Sequence, residues 1–341
     1  MISFEKGQIE GVKVHILQLP VLVRSATFPL KLVSVYRMKM LIRNLKPDVL
    51  HAHYVTNYGF FGALCNYEPF VVTALGSDIL SVTTESPLIR VIKKLITTYV
   101  ARRANAVTVD SKSLMKEIVK LGAPVEKVRV ISHGVSLKQF NPNKKTDLFK
   151  KTVNIPDGFE IIVSTRNLEK IYDVETLVKA IPNVIINKAN AHFLIIGEGT
   201  QKSYLQKLAE NLNVQEHVTF LGKIPNTEVG NILANSNIYV STSLSDSTSV
   251  SLLEAMASQL PVVVTDIEGN REWVKNSKNG FVIPKSNPEL LAEKIALLLK
   301  DKSTAERFGV RNREIVEEKA NYDKEMARVE DIYSQITHEP L

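Results

Sequence analysis

From end to end, the 341-residue chain alternates short apolar runs with longer stretches of helical periodicity. A short apolar run bounded by turn residues reads as a strand buried on both faces. The helical stretch that follows reads as its crossover, so the repeat is the βα unit of a parallel sheet. In the first part of the chain the strand candidates are "VKVHILQL", "DVLHAH", "FVVTAL", "AVTVD" and "VRVISH". The polar, Lys-rich stretch "NPNKKTDLFKKTVNIPDG" reads as a linker, and a second series follows it: "EIIVST", "HFLIIG", "HVTFLG", "NIYVS", "PVVVT" and "GFVIP". The expected architecture is α/β, with two Rossmann-like doubly wound domains facing a cleft. Their ranges are 1–148 and 149–320, and a C-terminal helix in 321–341 crosses back to the first domain. In such sheets ligands bind beyond the carboxyl ends of the strands, so strand-end residues become site candidates.

Composition narrows the function classes. Apolar residues make up 44% and charged residues 23%, which suits a globular chain rather than a disordered one. No apolar run is long enough for a spanning helix and no basic-then-apolar leader opens the chain, so a cytoplasmic site is expected. The single Cys65 has no partner for an internal disulfide and no neighbouring cysteine for a metal site, and it reads as an apolar filler. Residues 1–150 hold 22 Lys+Arg against 10 Asp+Glu, a net +12, while the remaining 21 against 26 give −5. A basic first half suits an anionic surface, either lipid headgroups or a phosphorylated acceptor. Nucleic acid is not expected, because the cations lie along helical patterns such as "PLIRVIKKLITTYVARRAN" without a reader motif or stacking aromatics. That helix reads either as a solvated face or as one docked on a membrane surface.

Chemistry concentrates in the second half. In "SDSTSVSLLEAMASQLPVVVTD" a strand end leads to Asp246, to the hydroxyls Ser247, Thr248 and Ser249, and to a helix expected to begin near Ser249 or Val250 and to carry Glu254. Unbonded N–H groups at a helix start attract an anion, and small hydroxyl residues let a phosphate approach closely. Were the segment wholly helical, eight residues at 1.5 Å each would span roughly 12 Å, about the reach of a nucleotide sugar's diphosphate. The plainer alternative is a capping Asp246 and an exposed helical Glu254. Arg166 follows a strand and Lys170 stands four residues later, a pair able to neutralise a departing diphosphate or to serve as ordinary surface charge. Gly197 and Gly199 in "FLIIGEGTQKSYL" occupy a strand-to-helix turn where backbone can approach a ligand, and no third glycine completes a dinucleotide fingerprint.

The order of these motifs resembles the retaining glycosyltransferases of family 4, which have the GT-B fold. The matching stretches are "TRNLEKIYDVETLVKA", "FLIIGEGTQKSYLQKLA", "HVTFLGKIPNTEV", "SNIYVSTSLSDSTSVSLLEAMASQLPVVVTD", "EGNREWV", "NGFVIP" and "NPELLAEKIALLLKD". The resemblance implies that Arg166 and Lys170 contact the donor diphosphate and that Glu254 holds the ribose. It implies that Asp246 meets donor-sugar hydroxyls, that the amides of Ser247, Thr248, Ser249 and Val250 seat phosphate and sugar, and that Lys223 and Ile224 lie near the base. Asp246 stands where the family usually has Glu, one methylene longer. Thr165 replaces the glycine that usually precedes the Arg, and the Arg–Lys offset is four instead of five.

On the acceptor side, His51 and His53 end one strand, and Gly76, Ser77 and Asp78 end the next. The histidines read as structural groups, as donors to substrate oxygens or as metal ligands, and since no third ligand is apparent no metal is expected. Leu75 stands where the family often has a His. "DVLHAHYVTNYGFFGAL", "FVVTALGSDIL" and "VRVISHGVSLKQFNP" look like the family's acceptor-domain segments, although the opening strand and Gly-rich turn of that domain are not found. A retaining transferase is therefore expected, using a UDP- or GDP-sugar donor without a cofactor. Its hydroxyl acceptor would be a glycan or lipid-linked saccharide, as in surface glycan assembly, with the protein peripheral at the inner face of the cell membrane. A nucleotide-sugar epimerase of the same fold and a non-catalytic sugar-nucleotide-binding protein are the alternatives.

Overall fold

The computed structural model describes residues 2–3, 13, 15–16, 28–76, 78–79, 86–146, 149 and 153–337. The chain divides into two compact units, one of residues 1–109, 115–129 and 330–341 and the other of residues 110–114 and 130–329.

In the first unit β1 (Ile2–Ser3) pairs with β2 (His15–Ile16), and helix α1 (Phe28–Leu45) leads to β3 (Leu50–His53). A π-helical turn (Val55–Gly59) and α2 (Phe60–Cys65) connect to β4 (Phe70–Ala74), followed by α3 (Pro87–Arg103), β5 (Ala106–Val109), α4 (Lys112–Lys120) and β6 (Val128–Val130), of which residues 112–114 and 130 count with the second unit. The sheet order is β3-β4-β5-β6, and the β3–β4 and β4–β5 pairs are parallel. Val71, Val72, Val107 and Val109 are fully buried in it, as expected for strands covered on both faces. Of the first strand candidate, only His15–Ile16 falls as a strand within the described residues; most of the stretch lies outside them. Cys65 is buried beside Met38, Ile42 and Phe61.

The second unit opens with β7 (Glu160–Ser164) and continues through α5 (Val174–Asn187), β8 (Ala191–Ile196), α6 (Lys202–Asn211), β9 (Val218–Gly222) and α7 (Asn226–Ala234). Then come β10 (Ile238–Ser241), α8 (Val250–Ala257), β11 (Val262–Thr265), α9 (Glu268–Trp273), β12 (Phe281–Ile283), α10 (Pro288–Lys300), α11 (Lys302–Lys319) and α12 (Tyr322–Thr337), the last of which ends in the first unit's share of the chain. The six strands run β12-β11-β10-β7-β8-β9, with every pair parallel. Alternation along each strand explains why both faces are covered. Ile162, Phe193, Ile195 and Val240 point into one core, and Ile161, Val163, Leu194 and Tyr239 into the other.

The stretch expected as a linker is anchored. Phe149 and Ile155 are buried in the second unit's core with Ile161 and Leu252, so their apolar side chains outweigh the lysines around them. This strand order also has a consequence for function. The first strand of the series, β7, lies between β10 and β8, so the chain direction of the winding reverses beside it. Ligands of doubly wound sheets bind at this switch point, beyond the strands' carboxyl ends.

Candidate functional site

Because β7 and β10 are neighbours, the loops that leave them are neighbours as well. Arg166 stands two residues past β7, and the loop 242–249 leaves β10 and caps α8. The Arg166 guanidinium donates through Nη1 to Ser249 Oγ at 2.5 Å and to Ser251 Oγ at 2.9 Å, and through Nη2 to Asp246 Oδ2 at 2.6 Å. It stacks on the Tyr172 ring at 4.2 Å, which holds its plane. Tyr239 Oη donates to Ser251 Oγ at 2.9 Å from within β10. Arg166 is 8% exposed, yet its Nε–H lacks a partner among the described residues. A buried, charged donor without an acceptor is costly, so this edge of the guanidinium suits an anion.

Helix α8 begins at Val250, with Ser249 as its cap accepting from Leu252 N at 3.3 Å. The cap leaves the N–H groups of Val250 and Ser251 in the first turn without intrahelical acceptors. Only the residues from 250 to 254 are helical in the Asp246–Glu254 interval, so the rise between acids is about 6 Å along the helix plus a non-helical turn, not a straight eight-residue span. Asp246 turns back to the cation, and its Oδ1 accepts from Ser247 N at 3.0 Å. It is therefore not a simple helix cap; Ser249 is.

Glu254 is 8% exposed, with Asn226 Nδ2 donating to its Oε1 at 3.3 Å. Burial pushes its carboxyl up to about 7, partly opposed by that hydrogen bond and the Arg166 charge. It is thus not an exposed surface acid.

Gly197 and Gly199 are held close against a neighbouring loop. A Cβ on Gly199 would lie 2.3 Å from Leu168 O, and one on Gly197, whose φ is +144°, would lie 2.5 Å from Arg166 O. Their close approach is to the backbone of the Arg166 loop. Leu168 N donates to Glu198 O at 2.9 Å and Gln201 N to Leu168 O at 2.9 Å, zipping the two loops together. Gly269 does the same for the acid loop, where a Cβ would meet Ser247 O at 2.0 Å.

The remaining predicted residues are more dispersed. Lys170 is exposed and lines a hollow of about 230 Å³ with Glu169, Asp173 and Glu175, and Arg166 does not line it. Lys223 is exposed, its N–H bonded to the Glu198 carboxylate, and Ile224 packs against the core beneath α8. Val250 is exposed, whereas Ser247 and Thr248 are buried: Ser247 Oγ donates to Asp110 Oδ2 at 2.6 Å and Thr248 Oγ1 to Asp110 O at 3.1 Å.

In the first unit, His51 and His53 stack at 4.6 Å and line a cavity of about 410 Å³ whose other walls are mainly apolar. His51 Nδ1 bonds Tyr333 Oη at 2.5 Å and Nε2 bonds Thr73 Oγ1 at 2.6 Å, so both of its ring nitrogens are in use. Burial, aided by His53, lowers its pKa to about 3, which keeps it neutral. Asp78 ties two loops by accepting from Val55 N at 2.6 Å and Leu75 N at 3.1 Å. Gly76 is buried with φ +85°, a conformation that favours glycine, and Ser77 lies outside the described residues. Among the described residues no group of three His, Cys, Asp or Glu side chains is arranged to hold a metal ion.

Comparison with known proteins gives the family and the fold. The family described as glycosyl transferases group 1 matches residues 145–315, half of the chain and most of the second unit, and a family described as glycosyl transferase 4-like matches residues 3–111. The chain belongs to the glycosyl transferases group 1 family. It is a glycosyltransferase of GT-B fold. It is 27% identical over 298 residues to the N-acetyl-alpha-D-glucosaminyl L-malate synthase of Bacillus anthracis, covering 85% of this chain and 75% of that one. It is 28% identical over 281 residues to the N,N'-diacetylbacillosaminyl-diphospho-undecaprenol alpha-1,3-N-acetylgalactosaminyltransferase of Campylobacter jejuni, covering 78% and 71%. Among solved structures, Anabaena Alr3699/HepE in complex with UDP-glucose superposes with a TM-score of 0.80 at 18% identity, covering 94% of this chain and 86% of that one.

Sequence reasoning missed several residues that hold the candidate site together: Tyr172, Asn226, Tyr239, Ser251, Asp110 and Gly269. Tyr172 and Ser251 are each within six residues of a predicted group, so local spacing offered a hint. Asn226 stands two residues from Ile224, but its partner Glu254 is distant in sequence, as Ser247 and Thr248 are from Asp110, and only folding brings these together.

Proposed function

We propose that this glycosyltransferase moves a sugar from a UDP- or GDP-sugar to a hydroxyl acceptor with retention of anomeric configuration. The observation that carries the reading is the Arg166 cluster at the start of α8, where a buried guanidinium bonded to Ser249, Ser251 and Asp246 keeps an Nε–H without a partner among the described residues. The donor diphosphate sits on that edge and on the amides of Val250 and Ser251. As the sugar–phosphate bond breaks, charge grows on the leaving oxygen, and a preorganised cation and helix terminus stabilise it without reorganisation. No metal is required in this scheme, since the positive charge comes from Arg166 and the helix terminus. Asp246 holds Arg166 in place and offers its exposed edge to sugar hydroxyls. Glu254, once ionised, accepts from the ribose hydroxyls, with Asn226 fixing its orientation.

Retention is supported by the alpha linkages in the names of both relatives, since an alpha-linked nucleotide-sugar donor gives such a product when configuration is kept. The relative named for a diphospho-undecaprenol substrate and the +12 charge of residues 1–150 support a glycan or lipid-linked acceptor presented at an anionic membrane. No described helix is long and apolar enough to cross a membrane, so the proposed association is peripheral. The test is a thermal-shift screen of UDP- and GDP-sugars followed by product analysis with the donor that stabilises. The expected product has the donor's anomeric configuration. An inverted product, or no stabilisation by any nucleotide sugar, overturns the reading.

A further inference from the structure

Helix α3 presents the wrong face to solvent for a helix of a soluble protein. Thr97, Val100 and Ala101 are fully buried, and the helix packs by this face on β4 and the Val55–Gly59 turn. The opposite face carries Leu88, Ile92, Leu95 and Tyr99 at spacings of four, three and four, which one helical side requires. They are 69%, 46%, 65% and 40% exposed, and Val91 and Ile89 widen the stripe at 55% and 46%. Six large apolar side chains on one exposed helix form a contiguous patch of the kind that marks an interaction surface.

The polar residues of the same helix identify the partner. α3 carries Arg90, Lys93, Lys94, Arg102 and Arg103 and no acid. Arg103 is engaged with Glu68 and Asn66, while Arg90, Lys94 and Arg102 are exposed. A second copy of the chain seated on this stripe would bring cation against cation whichever way the helices ran. An anionic lipid surface accepts the apolar stripe among its acyl chains and the long basic side chains at its headgroups.

We infer that α3 is the element by which the protein seats on an anionic membrane, its Leu88–Ile92–Leu95–Tyr99 stripe inserted at the headgroup boundary. This rests on the proposed work at a membrane surface and names the element responsible.

The experiment is co-sedimentation of the full chain with phosphatidylcholine vesicles with and without phosphatidylglycerol. Wild type, L88E/L95E and R90Q/K94Q are compared, and the thermal shift with the donor serves as a check that the second unit is intact. Wild type is expected to sediment with the anionic vesicles and to be released by salt. L88E/L95E is expected to lose on the order of tenfold or more in binding, and R90Q/K94Q to lose most of its preference for phosphatidylglycerol. If wild type binds and L88E/L95E binds equally well, the assignment to α3 fails while the membrane reading stands. If wild type ignores both vesicles, both fail. A stripe substitution that converts a dimer to a monomer without altering vesicle binding makes the stripe a contact between copies and overturns the inference.

Discussion

Arg166 and Asp246, eighty residues apart in sequence, form an ion pair at 2.6 Å between the loop after β7 and the loop that leads into α8, and the guanidinium that would receive a diphosphate is already held by a carboxylate. Cation and acid therefore act in opposition on an incoming anion. R166A is expected to lower kcat/KM on the order of 100-fold or more, the usual scale for removing a preorganised charge stabiliser. D246N keeps a hydrogen-bond acceptor but removes the negative charge, so the affinity for the donor's nucleoside diphosphate should rise a few-fold even as sugar transfer slows. Calorimetric titration of the diphosphate reads this directly; weaker binding by D246N would place Asp246 on the ligand's side of the balance.

Glu254 predicts a pH dependence of stability. Its carboxyl is raised by burial from 4.5 to about 7, so the folded state holds a proton that the unfolded chain releases. The stabilisation is complete below pH 4.5 and is lost as pH rises through about 7. Melting temperatures of wild type and E254Q should diverge across that window, wild type falling relative to the variant. Parallel curves would count against a buried, protonated Glu254.

His51 works in the other direction. Its pKa is depressed from 6.5 to about 3 by burial and by His53, so the stability it contributes is present above pH 6.5 and is lost as pH falls toward 3. H51N should flatten acid destabilisation over that range. In wild type the His51 ring resonances should show no protonation near pH 5, where an ordinary histidine is charged.

Gly199 and Gly269 test whether backbone contact positions the site. Alanine at either must displace a carbonyl that lies 2.3 Å or 2.0 Å from the new Cβ, at a cost of about 1–3 kcal/mol. Because those carbonyls belong to the Arg166 and Asp246 loops, donor affinity should fall with stability. Reduced melting temperature with unchanged donor affinity would limit these glycines to a packing role.

Much of the site was legible because it depends on local order. The strand runs of the second series appear as β7 to β12, and Ser249 caps a helix that begins where the hydroxyl run meets the apolar pattern. Glu254 was the clearer acid, although the spacing alone suggested a straight measure between two carboxylates that the turn at 246–249 does not provide. The glycines of "GEG" were legible as places of close approach, but what they approach was not: the answer is the neighbouring loop. Asp78, read as an acceptor-side group, spends both oxygens on Val55 and Leu75 N–H groups, which sequence spacing cannot reveal.

By itself, the sequence determined the βα repeat, the residue types able to meet a diphosphate and the family that contains them, because periodicity, capping and motif order are properties of neighbours along the chain. Only the tertiary structure decided that β10 lies against β7, and with it that Arg166 meets Asp246, Ser249 and Ser251 while Lys170 faces a separate acidic hollow. Strand order depends on which crossovers pack best over a shared core, and that long-range competition brings residues together without leaving any pattern between them in the chain.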